Sequence, residues 1–211
     1  MKALVLGAGT PPPCDLIQKH MLDAELIVCA DGALNWAAEY GIRPHAVVGD
    51  MDSAKIQKLL ELEENGVKVM RLNRRKDETD AQEAVDYALS AGASEVVLLG
   101  MSGSRLDHTL ANIHLLVRIE KNGAKGRLCD AHNEIHVACA PIELCARKGT
   151  LLSILPLSGA AAIQSLEGLE YPLDNAVLHL EFPRAISNVF EKDCVKVNVA
   201  NGWVAIFLSR D

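Results

Sequence analysis

The 211-residue chain has no apolar run long enough to cross a bilayer, and none of its six cysteines (Cys14, Cys29, Cys129, Cys139, Cys145, Cys194) forms a C-x-x-C pair. The first absence excludes a helical membrane anchor. The second removes the common zinc and thiol-redox spacings, and predicts reduced thiols in a cytoplasmic protein without a zinc site. Positive charge is scarce too: the net charge is −7, and Lys and Arg are scattered apart from Arg74-Arg75-Lys76. Such a balance argues against nucleic acid as a partner. No G-x-S-x-G, Walker A lysine motif or kinase H-R-D occurs, which sets those hydrolase, NTPase and kinase classes aside. Gly7-Ala8-Gly9 lacks the third glycine of a dinucleotide fingerprint and runs into Pro11, so it predicts only a ligand-facing turn. His108 and His114 lack a second histidine at metal spacing and read as packed or surface imidazoles. There is no internal repeat or low-complexity tract.

What is present is an ordinary globular composition, 49% hydrophobic and 23% charged. The opening M-K-A-L-V-L-G-A-G-T-P-P-P imitates a signal peptide, but its apolar run is short and meets glycine and three prolines, so it reads as a first strand. Strands are expected at residues 3–6, 26–30, 46–48, 67–71 and 96–99. Most are continuously apolar, as in a parallel sheet covered on both faces. After Asp80, the residues Ala81, Ala84, Val85, Ala88 and Leu89 repeat as one helical stripe. A second helix follows Asp107, with Leu110, Ile113, His114 and Val117 on one face. Strands separated by such helices imply right-handed crossovers. From about Gly126 short β-prone runs appear instead, at 151–155, 177–180, 195–199 and 204–208, punctuated by Pro156, Gly159, Gly168, Pro172, Pro183 and Gly202. The predicted fold class is α/β: a mostly parallel sheet with flanking helices over residues 1–138, then an antiparallel β-sandwich over 139–211.

The densest chemistry lies in A-V-V-G-D-M-D-S, residues 46–53. An extended chain there would send Asp50 and Asp52 to the same side. Two hard oxygen ligands at the carboxyl end of a parallel strand suit Mg²⁺, which keeps waters and takes its other ligands from phosphates. Three further clusters fall on strand-to-helix junctions: Asp31-Gly32, Arg74 to Asp80, and Gly100 to Asp107. These junctions converge at one sheet edge, where clustered acids call for a cation, and where Arg105 and helix N-termini can hold phosphate oxygens. Purely structural readings exist for the same residues. Thr79 and Gln82 match a capping box, Asp80 complements a helix dipole, Asp107 suits an N-cap, and Arg74-Arg75-Lys76 suits a solvated turn.

Taken in order, C-A-D-G-A-L-N, G-I-R-P-H-A-V-V-G-D-M-D-S, D-E-T-D and G-S-R-L-D-H-T-L-A-N-I resemble the motifs of the thiamine pyrophosphokinase family. K-G-T-L-L-S-I-L-P-L, G-L-E-Y-P-L and I-S-N continue the match through the C-terminal part. The resemblance implies an α/β catalytic domain, a β-sandwich that helps bind thiamine, and a homodimer with sites between subunits. It also implies transfer of the β,γ-pyrophosphoryl group of ATP to the thiamine hydroxyl, with release of AMP. Carried over by residue, Asp50, Asp52 and Asp80 resemble the Mg²⁺-binding acids, and Asp31, Gly32 and Thr79 lie beside ATP. Arg105 and Asp107 would contact phosphates and the reacting hydroxyl, while Tyr171, Ser187 and Asn188 would face thiamine. Departures from the family pattern fall at Ala33, Leu34, His45 and Ser104, close to ligand-facing backbone.

Two other readings compete. In a haloacid-dehalogenase-like phosphatase, Asp50 of D-M-D would be a covalent nucleophile, but the β-rich C-terminal part then has no role. A non-catalytic nucleotide-binding sensor would use the same cleft without turnover.

Overall fold

A computed structural model describes residues 1–51, 56–72 and 78–210, with the backbone alone for 56–59. Asp52 and the Arg74-Arg75-Lys76 cluster lie outside the described residues. The chain forms two compact units, Met1–Ala131 and His132–Asp211.

In the first unit the continuous apolar runs become inner strands: β1 (Lys2–Leu6), β2 (Leu26–Ala30), β3 (Ala46–Gly49), β4 (Lys68–Arg71), β5 (Glu95–Leu99) and β6 (Lys125–Cys129). All neighbours pair in parallel, in the order β6-β5-β1-β2-β3-β4. Between them run α1 (Cys14–Met21), a 3₁₀ turn (Asp31–Ala33), α2 (Leu34–Glu39), α3 (Ile56–Glu64), α4 (Asp80–Ser90) and α5 (Leu106–Lys121). Leu4, Leu6, Leu98 and Leu99 are fully buried, each stabilising the unit by about 1.5–3 kcal/mol. The strands progress outward from β1 to β4 on one side, then return to the other side of β1 with β5. That reversal opens a crevice beyond the carboxyl ends of β1 and β5.

The α4 stripe is as expected: Ala84, Val85 and Ala88 are buried, and the helix packs against β1, β2, β3 and α5. The buried face of α5 only partly coincides with the stripe read from its sequence. Asn112, Ile113, Leu115, Leu116 and Ile119 are buried, whereas Leu110 is 53% exposed and His114 lies outside. The phase shifts because Asn112, polar by type, is drawn inward by donating its Nδ2 to the Met101 carbonyl at 2.7 Å.

The second unit is built from β7 (Asn133–Ala138), β8 (Ile142–Cys145), β9 (Leu151–Pro156), β10 (Ala160–Glu167), β11 (Asp174–His179), β12 (Ala185–Val189), β13 (Cys194–Asn201) and β14 (Val204–Ser209). Antiparallel pairing gives two sheets, β12-β9-β14-β7 and β11-β10-β13-β8. Leu152, Ile154 and Ile206 of one sheet and Ile163, Val195 and Val197 of the other share a core with Phe190. This is a sandwich, as expected. The cysteine expectation is corrected here. Cys145 and Cys194 form a disulfide, while Cys14, Cys29, Cys129 and Cys139 are free. The pair stands directly opposed in the β8–β13 register with Cα atoms 4.0 Å apart. A sequence separation of 49 residues conceals that proximity.

Candidate functional site

The crevice begins with two glycine turns that extend the β1–β5 pairing beyond the strands. Gly7 N donates to Leu99 O at 2.8 Å, Gly9 N to Gly100 O at 2.7 Å, and Thr10 N to Ser102 O at 2.8 Å. No side chain fits between them: a Cβ on Gly9 would lie 2.3 Å from Ser102 O, and one on Gly7 2.8 Å from Gly100 O. The turn after β5 is held from α5 as well. Thr109 Oγ1 accepts from Gly103 N and donates to Arg105 O, both at 3.2 Å, and Ser102 Oγ donates to Asp130 Oδ2 at 2.9 Å.

These turns, the 3₁₀ turn after β2 and the first turns of α4 and α5 enclose a cleft of about 410 Å³. Of the expected site residues, Gly32, Thr79, Asp80 and Arg105 line it, alongside Ala8, Gly9, Met101 to Ser104, His108, Thr109 and Asn112. Thr79 caps α4, its Oγ1 accepting from Gln82 N at 3.1 Å, so capping and cleft lining are served by one residue. Asp107 is not the N-cap of α5; that position is Arg105, and Asp107 sits in the first turn.

Behind the cleft, acids gather around Gly49. A Cβ placed there would lie 2.5 Å from Asp31 Cβ and 3.3 Å from Asp80 Oδ2. Asp31 is only 2% exposed, and the half-buried Asp50 follows Gly49 directly. The condition that the chain stays extended after Asp50 is not met at Met51, whose φ of +61° lies in the left-handed region. The donors are hard carboxylate oxygens, which suit Mg²⁺ rather than zinc. Their arrangement is open. Among the described residues, the three-ligand group with all atoms within 4.8 Å is Glu143, Cys145 and Cys194 of the second unit, and there both sulfurs are engaged in the disulfide.

Arg105 and Asp107 face each other as a bidentate pair, Nε to Oδ1 at 3.2 Å and Nη2 to Oδ2 at 2.5 Å. The hydrogen bond from Arg105 takes the Asp107 carboxyl down to about 2, and the same contact raises the guanidinium. Asp107 is therefore ionised at any pH near neutrality. Cys29, at the end of β2, is the opposite case: burial pushes its thiol up to about 12, leaving it chemically inert.

In the second unit Tyr171, Ser187 and Asn188 come together. Asn188 is 6% exposed, and its Oδ1 accepts from Tyr171 N and Val189 N at 2.9 Å, while its Nδ2 donates to Tyr171 O at 2.7 Å. Its amide thus braces the Tyr171 backbone. Ser187 adopts φ +56° with its N–H on Ser153 Oγ at 2.9 Å, and the side chains of Ser187 and Tyr171 stand exposed. A hydrogen bond to Glu170 raises the Tyr171 phenol.

The cleft wall also includes Thr109 and Asn112, which the sequence does not single out, and His108, which it reads as a packed or surface imidazole. Their spacing of one and four residues after His108 places them along the first turns of α5, a signal available once the helix start is fixed.

The whole chain has relatives. Residues 17–128 match the family described as "Thiamin pyrophosphokinase, catalytic domain", and residues 134–204 match "Thiamin pyrophosphokinase, vitamin B1 binding domain". The chain is 31% identical over 174 residues to the thiamine pyrophosphokinase of Bacillus subtilis (strain 168), covering 81% of each. It is 26% identical over 197 residues to thiamin pyrophosphokinase 1 of Caenorhabditis elegans, covering 87% of this chain and 78% of that one. The crystal structure of the Bacillus subtilis thiamine pyrophosphokinase superposes with a TM-score of 0.87 at 25% identity over the full length of both chains. The yeast thiamin pyrophosphokinase shares the fold, with a TM-score of 0.84 at 17% identity over 99% of this chain and 86% of that one.

Proposed function

The chain belongs to the thiamine pyrophosphokinase family, and from that premise we propose that it transfers the β,γ-pyrophosphoryl group of ATP to the thiamine hydroxyl, giving thiamine diphosphate and AMP. The observation that carries this reading is the cleft at the β1–β5 reversal, where Gly32, Thr79, Asp80 and Arg105 meet the glycine turns and the first turns of two helices. Helix N-termini present backbone N–H groups to phosphate oxygens, and glycine turns let the backbone come close to a ligand.

Asp50 and Asp80, with Asp31 beside them and Asp52 from the same motif, would hold Mg²⁺, which when bound neutralises charge on the phosphate oxygens. Arg105 would exchange its fork from Asp107 to a phosphate, since each presents two anionic oxygens that accept a bidentate pair from the planar guanidinium. Asp107, an exposed carboxylate that ordinary aspartate titration already leaves ionised near neutrality, would then accept a hydrogen bond from the thiamine hydroxyl and orient it in line. A loose transition state needs little more from a base than that. Tyr171 and Ser187, braced through Asn188, would meet thiamine, with ATP and thiamine as the two substrates and a homodimer as the assembly.

A cytoplasmic location belongs to the same proposal. Among the described residues no helix is long and apolar enough to cross a membrane. In a reducing cytoplasm the Cys145–Cys194 bond would open.

The test is to incubate the protein with ATP, Mg²⁺ and thiamine and to separate the products. AMP with thiamine diphosphate supports the proposal. Free phosphate released without thiamine would favour the phosphatase with Asp50 as nucleophile, and bound ATP without turnover would favour a sensor.

A further inference from the structure

Trp36 lies in α2, outside the residues that line the cleft, yet it touches both of the cleft's glycine turns. Its Nε1 donates to Gly7 O at 2.9 Å in a buried hydrogen bond spanning 29 residues of sequence. On the other turn, Gly100 adopts φ +64°, and a Cβ there would lie 3.0 Å from Trp36 Cζ2. The same helix follows directly on the Asp31–Ala33 turn, where a Cβ on Gly32 would meet Ala8 Cβ at 2.6 Å. One indole therefore touches the turns after β1 and β5 from a helix that continues the turn after β2. It is 7% exposed and is steadied edge-on by Tyr40, with ring centroids 6.1 Å apart.

A buried indole N–H needs an acceptor wherever it packs, and the identity of that acceptor decides what the bond holds in place. Here the donor is committed to the carbonyl of a turn whose next amides, Gly9 N and Thr10 N, carry the cross-bonds to Gly100 and Ser102. We propose that Trp36 is a positioning residue that fixes the spacing of the Gly7–Gly9 and Gly100–Gly103 turns and so sets the affinity for the nucleotide. The inference rests on the reading of this cleft as the ATP site. Backbone that approaches a phosphate must be held to within a fraction of an ångström to be useful. A buried N–H committed to a carbonyl enforces that position.

The test compares Trp36→Phe, which keeps an aromatic ring and removes the donor, with Trp203→Phe in the second unit. ATP binding in the presence of Mg²⁺ is measured by calorimetry, exchange at the Gly9 and Thr10 amides by NMR, and stability by thermal unfolding. Trp36→Phe should weaken ATP binding about tenfold and accelerate exchange at both amides, while the thiamine KM stays within about twofold. Trp203→Phe should change none of these. If Trp36→Phe does not fold, replacing the indole by its benzothiophene isostere removes the N–H at constant shape and carries the same expectation. Unchanged ATP affinity and amide exchange, or an affinity loss that only tracks the fraction unfolded, would overturn the proposal. So would wild-type protein that does not bind ATP. Wild-type protein that binds ATP but forms no AMP with thiamine would sink the proposed reaction and leave the comparison of Trp36→Phe with wild type decisive for positioning.

Discussion

The two units use polar side chains in opposite ways. In Met1–Ala131 they are directed at turns: Asn112 at Met101 O, Thr109 at Gly103 N and Arg105 O, Trp36 at Gly7 O. These bonds hold a cleft open above a core of leucine and valine. In His132–Asp211 they bind chain to chain: Asn188 to the Tyr171 backbone, Asn198 to Ser165, Ser153 to Ser187. In the proposed function the first arrangement would offer a rigid surface to a phosphate chain. The second stabilises a small sandwich and leaves the exposed Tyr171 and Ser187 side chains for contact. A parallel sheet makes this division natural, because all its carboxyl ends face one way, whereas an antiparallel sandwich distributes its turns to both ends.

The sharpest way to break the contrast is at the acids. Asp80→Asn and Asp50→Asn should each lower kcat/KM by more than ~10²-fold, because an amide keeps the shape and loses the anionic ligand. Thermal unfolding of both variants should stay near wild type; full activity at saturating Mg²⁺ would refute the shared-cation assignment. The second unit should answer to a different perturbation. Reducing Cys145–Cys194 opens a link between residues 49 apart and should cost the sandwich about 2–4 kcal/mol in denaturant titration, with the ATP KM unchanged. Thiol titration of the unfolded, unreduced protein should find the four free cysteines, not six.

Arg105→Lys should cost about tenfold in kcat/KM, since a point charge remains while the fork is lost. A wild-type rate for Arg105→Ala would remove Arg105 from the phosphate site. The smallest effects are expected at Ser187 and Asn188. Ser187→Ala should raise the thiamine KM several-fold with stability intact. Asn188→Ala should also destabilise by about 1–3 kcal/mol, because the Tyr171 N–H and carbonyl lose their partner. If neither substitution moves the thiamine KM, both residues only shape the turn.

Legibility in the sequence follows the same divide. β1, β2, β3 and β5 are nearly continuous apolar runs buried on both faces, and period and length alone identify them. β6 escaped because Lys125 and Arg127 interrupt it, the latter paired with Glu95 across the sheet at 2.8 Å. The buried face of α5 is hard to read from its sequence because a buried asparagine looks like a surface residue until its hydrogen-bond partner is seen. In the sandwich, β8, β10 and β12 are interrupted by Glu143, by Gln164-Ser165 and by Ser187-Asn188, so neither a continuous apolar run nor a clean alternation marks them. The disulfide depends on a register that no local pattern encodes. At the site, Asp80, Thr79, Gly32 and Arg105 were legible because they follow strands or start helices. Trp36 was not, because its role is a single long-range bond.

The division of labour itself is most directly tested by amide hydrogen exchange with each substrate alone. ATP with Mg²⁺ is expected to protect the amides of Gly9, Thr10 and residues 100–105 and to leave the second unit unchanged. Thiamine is expected to protect amides around Tyr171 and Ser187. Protection by ATP confined to His132–Asp211, with the glycine turns of the first unit exchanging as in the free protein, would contradict the account.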